Sequence, residues 1–116
     1  MKILAVDTAT KSCSAAIVED GVACAELTTV NNQTHSKHLV NMIDTVCEMS
    51  GRKIADMDGF AVTRGPGSFT GLRIGISTVK GLAWSLNKPV VGISSLDALA
   101  WQCAPGDYLE IGRAHV

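Results

Sequence analysis

Apolar and polar residues alternate along the first part of the chain and then change to helical spacing. "KILAVDT" (residues 2–8) is a short apolar run that predicts a buried strand. "SCSAAIVED" and "GVACAELTTV" interleave small, polar and apolar residues, and Asp20-Gly21 between them is a strong hairpin signal. The chain therefore opens with three antiparallel strands. Leu39, Met42, Ile43, Val46 and Met49 then recur at helical spacing, with Thr34 as a plausible N-cap and Gly51 as a C′ stop. "DGFAVTRG" reads as a fourth strand. From about Thr70 to Leu86, an apolar stripe through Leu72, Ile76, Val79, Leu82 and Leu86 predicts a second helix. "KPVVGIS" is a fifth strand, and "SLDALAWQC" opens a third helix capped by Ser94 or Ser95.

Three antiparallel strands followed by helix, strand, helix, strand and helix is mixed α/β. Right-handed crossovers place the fourth and fifth strands parallel to the first. The expected architecture is a ribonuclease-H-like lobe, a mixed five-stranded sheet with three helices, of the kind used in pairs by the actin, hexokinase and Hsp70 group. Topology alone does not give function.

Composition narrows the class. With 116 residues, 47% of them apolar and 18% charged, the chain is sized and composed as one folded domain. Its net charge of −1 supplies no global basic field for nucleic acid. The opening "MKILAVDTAT" lacks the apolar run and cleavage site of a signal peptide, and no stretch reaches the length of a membrane helix. Cys13, Cys24, Cys47 and Cys103 form no C-x-x-C pair, so reduced thiols and a cytoplasmic location are expected, with no membrane.

The candidate chemistry is sparse. "RGPGSFTGLRIG" (64–75) is a glycine-rich turn feeding a helix, but it is not a Walker A loop, because Leu72-Arg73 stand where Lys and Ser/Thr are needed. Asp7 ends the first strand and is a degenerate phosphate or metal position; the plainer reading is an Asp capping a tight turn. His35 and His38 share a helix face, yet no Asp or Glu accompanies them at a ligand offset, and packed or exposed imidazoles are the plainer reading. Ser68 lacks the G-x-S-x-G elbow of a nucleophile. Gly71, Gly75 and Gly81 each cost about 1 kcal/mol relative to Ala inside a helix. Gly71 and Gly75 are four apart and open one groove, either for the domain's own sheet or for another chain's helix.

"ILAVDTAT", "THSKHL", "AVTRGPGSFTGLRIG" and "KGLAWSLNKPVVGISSLDALA" together resemble the N-terminal lobe of the TsaB (YeaZ) family of bacterial tRNA threonylcarbamoyladenosine biosynthesis proteins, over about Met1 to Ala104. The related catalytic family, TsaD, carries a similar "GPG…KGLA…KP" segment. After "KP", however, TsaD has an H-x-x-x-H metal pair, and here Ser95 and Leu99 occupy those positions. Lys11 and Ser12 likewise stand where TsaD has acidic residues. The resemblance is therefore to the non-catalytic relative.

That resemblance implies a role. Such a subunit has no catalytic residue, no metal and no cofactor of its own. It binds TsaD as a heterodimer through N-terminal helices, reaches the ATPase TsaE through the complex, and meets tRNA only indirectly. The complex transfers a threonylcarbamoyl group to the adenosine beside the anticodon. The expected partner interface is Leu39, Met42, Ile43, Val46, Gly71, Leu72, Gly75, Ile76 and Val79, taken as an exposed apolar face that forms a homodimer when TsaD is absent. The alternative is a lobe of an actin-like kinase or of a TsaD-like metal-dependent transferase. Residues 1–104 are expected to form the lobe. Residues 105–116 are expected to be a non-native tail, whose last six letters read as a translated sequencing adapter.

Overall fold

The computed structural model describes residues 1–8, 12–30, 36–64 and 69–93. Five strands form one sheet: β1 (Lys2–Asp7), β2 (Ser12–Glu19), β3 (Val22–Val30), β4 (Gly59–Thr63) and β5 (Val90–Ile93). Their spatial order is β3-β2-β1-β4-β5. β1 pairs antiparallel with β2, and β2 with β3; β1–β4 and β4–β5 are parallel. Two helices fill the crossovers, α1 (Ser36–Ser50) before β4 and α2 (Phe69–Leu86) before β5. This is the mixed sheet expected from the hydrophobic pattern. The third predicted helix and the tail lie outside the described residues.

Local chemistry sets the element ends. Asp20 and Gly21 both take positive φ, 53° and 82°, which is the two-residue turn whose twist matches a hairpin. α1 ends at Gly51, φ +70°, with Arg52 N–H donating to the Cys47 carbonyl and Gly51 N–H to that of Glu48. That pair of bonds satisfies two orphan helix carbonyls. α2 closes the same way on Asn87, φ +55°, with Lys88 N–H bonded to the Ala83 carbonyl at 2.8 Å and Pro89 barring continuation. A single 3₁₀ turn, Ile54–Asp56, which the sequence pattern does not announce, leads into β4.

Strand alternation assigns the two sheet faces. Leu4 and Val6 of β1 join Ile17, Phe60 and Val62 in the main core, while Ile3 and Ala5 join Val18, Ala61, Val91 and Ile93 in a second cluster. Leu39, Met42, Ile43 and Val46 of α1 and Val79 and Ala83 of α2 belong to the main core. Each of the Leu, Met, Ile and Val side chains contributes about 1.5–3 kcal/mol by leaving water. β1 and β4 lie centrally, and the Val6 and Thr63 ends of the two strands are joined by a bond from Thr63 Oγ1 to the Val6 carbonyl. The carboxyl ends of β1 and β4 and the start of α2 thus meet at one corner.

Candidate functional site

Two features of α2 define the candidate site: an inner face seated on the Asp7–Thr8 corner, and an outer face open to solvent. On the inner side, Thr8 is fully buried and its Oγ1 donates to the Gly71 carbonyl at 2.6 Å. A Cβ placed on Gly75 would lie 2.3 Å from the same oxygen, closer than any real contact. Gly75 therefore lets the helix backbone settle on Thr8, so that side of α2 is filled by this domain's own chain just past β1.

That placement corrects the exposure expected of the interface residues. Leu39, Met42, Ile43, Val46 and Val79, expected to be exposed, are 0–3% exposed and pack beneath the helices. Gly71 and Gly75 are buried as well. Leu72 and Ile76 are half-buried at the flank, and Ile76 packs against the main core. The apolar stripes are one face wide, and the sheet takes that face.

The outer face of α2 has a different character. Arg73, Ser77, Lys80 and Trp84 fall within one narrow helical stripe at 100° per residue, and all are exposed. Trp84 is 87% exposed, an unusual position for so large an apolar side chain. Beside it Gly81 has open space where a Cβ would be. Between the start of α1 and the first half of α2, Ser36, Thr70, Arg73, Ile74, Ser77 and Thr78 line an open cleft of about 340 Å³. Val40 and Met49 add exposed apolar surface on α1. The signal for this stripe is present in the sequence as the single aromatic residue among the polar positions of an otherwise amphipathic helix.

The other candidate residues fall apart as a site. Asp7 is half-buried at the end of β1, opposite Ser14, and residues 9–11 lie outside the described part. His38 Nε2 and Thr29 Oγ1 share a hydrogen bond of 3.0 Å, which ties α1 to β3; His35 lies outside the described residues. Among the described residues no three His, Cys, Asp or Glu side chains cluster as metal ligands. Burial pushes the Cys13 and Cys47 thiols above their ordinary range, with the nearby Asp7 and Asp44 carboxylates adding to it. Thiols so raised are poor nucleophiles at neutral pH. Ser68, Ser95 and Leu99 lie outside the described residues.

Comparison with known proteins places these features. A family model described as "TsaD: tRNA N6-adenosine threonylcarbamoyltransferase" matches residues 26–109. The chain is 40% identical over 100 residues to the tRNA threonylcarbamoyladenosine biosynthesis protein TsaB of Escherichia coli K12, covering 86% of this chain and 43% of that protein. The solved structure of YeaZ from Pseudomonas aeruginosa superposes with a TM-score of 0.76 at 38% identity, over 85% of this chain and 46% of that one. The chain belongs to the TsaB family. It spans under half the length of these TsaB relatives. RuvC of T. thermophilus, in complex with a Holliday junction substrate, has a TM-score of 0.52 at 13% identity over 98% of this chain and 77% of that one, a likeness of fold alone. The match to a TsaD model alongside TsaB relatives accords with the shared "GPG…KGLA…KP" segment. The ribonuclease-H-like architecture expected from the element order holds for this lobe.

Proposed function

We propose that residues 1–104 form the N-terminal lobe of a non-catalytic subunit in tRNA threonylcarbamoyladenosine synthesis, which docks TsaD through the outer face of α2 and the adjoining cleft. The single observation that carries this reading is Trp84, 87% exposed in a stripe with Arg73, Ser77 and Lys80. Trp and Arg are the residue types that anchor protein interfaces. Gly81 beside Trp84 leaves room for another backbone to approach. TsaB relatives supply the biological context, since they are named for threonylcarbamoyladenosine biosynthesis. The interface thus moves from the inward stripe to the outward one.

In this reading TsaD performs the threonylcarbamoyl transfer, TsaE joins through the complex, and tRNA contacts this chain only indirectly. The setting is the cytoplasm; among the described residues no helix is long and apolar enough to cross a membrane. Without TsaD the same stripe pairs with a second copy, since an isologous contact reuses one surface. The rival kinase reading rests on Asp7, and the metal-dependent transferase reading on Asp7 and the TsaD model match over residues 26–109. The test is titration of the chain with TsaD from the same source, wild type against Trp84→Ala. Loss of a central anchor costs about 2 kcal/mol, roughly 30-fold in Kd. The unfolding midpoint should stay unchanged, because the indole is exposed. Equal affinity of Trp84→Ala and wild type would refute docking through this face.

A further inference from the structure

Thr8 lies on the far side of α2 from the docking stripe, yet its geometry controls where that stripe points. Its Oγ1 is caught between two turns of one helix, bonded to the Gly71 carbonyl at 2.6 Å and pressed close to the Gly75 backbone. The bond fixes how far α2 slides along its axis. The contact at Gly75 fixes its rotation, because only the glycine position admits the oxygen. With side chains a helix has a radius of about 5–6 Å, so a rotation of about 10° moves the outer side chains by roughly 1 Å. That is enough to misalign a packed interface.

We infer that Thr8 is a positioning residue for the docking face: it touches no partner, and it sets the registry of Arg73, Ser77, Lys80 and Trp84. The inference rests on the docking reading proposed above. The test compares Thr8→Val, which keeps the shape and removes the donor, with Thr8→Ser, which keeps the hydroxyl. TsaD affinity is measured on folded protein, and amide hydrogen exchange is followed in the first turns of α2 of the free chain. Thr8→Val is expected to raise Kd by about fivefold or more through the displaced stripe, while Thr8→Ser stays within about twofold. Exchange in α2 should quicken in Thr8→Val alone. Should Thr8→Val unfold, Thr8→Ala carries the same comparison. Equal affinity of Thr8→Val and wild type, or equal losses in Thr8→Val and Thr8→Ser, would overturn the inference. If wild type fails to bind TsaD, the docking reading falls instead. The exchange comparison still decides the seat in that case: faster exchange in Thr8→Val supports it, and unchanged exchange overturns it.

Discussion

Substituting Gly75 by alanine sets two opposing effects against each other at a position where the structure fixes their sizes. In a helix interior Gly→Ala is favourable by about 1 kcal/mol, because glycine loses more backbone entropy and buries less. At Gly75 the added methyl would stand 2.3 Å from Thr8 Oγ1 and 3.3 Å from Thr8 Cβ and Cγ2. Thr8 is fully buried and cannot swing into solvent. Overpacking of this kind costs about 1–3 kcal/mol. Displacing the hydroxyl also breaks its bond to the Gly71 carbonyl, about 1 kcal/mol more. The net is a loss of roughly 1–3 kcal/mol, read by urea unfolding followed by far-UV circular dichroism. Gly81→Ala is the internal control. It lies on the same helix with nothing within 4 Å of the new methyl, so it should gain about 0.5–1 kcal/mol. Thr8→Ala combined with Gly75→Ala should recover part of the loss, since the clashing oxygen is gone, giving a coupling of about 1 kcal/mol or more. A Gly75→Ala protein as stable as wild type, or a double mutant with purely additive losses, would show that α2 does not sit on Thr8.

Alkylation followed by peptide mapping should find Cys24 modified in the folded protein and Cys13 protected until unfolding, by about 10³-fold or more if exchange requires global opening. Comparable rates at the two thiols would contradict the placement of Cys13 in the core. The Met1 ammonium donates to Asp20 Oδ1 at 2.6 Å, and that bond holds its pKa above the ordinary 8.0. Its stabilising effect is full below 8.0 and is lost as pH rises through the higher folded value. Asp20→Asn keeps the left-handed turn that Asn also tolerates, so its stability deficit relative to wild type should shrink from about pH 7 to about pH 10. A constant deficit across that range would discount the ammonium pair.

Much of this molecule is legible in the order of its residues. The Asp20-Gly21 hairpin, the Gly51 stop and the helical spacing of α1 and α2 are local signals, and each element appears where they predict. The parallel pairing of β4 and β5 follows from connecting strands through helices. Asn87-Lys88-Pro89 carried an equally local stop signal for α2, visible once αL asparagine is weighed beside glycine. Periodicity, however, states which residues share a face and not what covers it. Leu39, Met42, Ile43, Val46 and Val79 could have faced a partner or the sheet, and packing gave them to the sheet. The same ambiguity hid the purpose of Gly75, because its contact, Thr8, lies 67 positions earlier in the chain. Only the fold brings that hydroxyl under α2. With the inner stripe in the core, the polar stripe with Trp84 is the side of α2 that faces solvent. Sequence determined the elements; the tertiary structure decided which side of α2 faces outward, because a sheet of this width has room for one face of each helix.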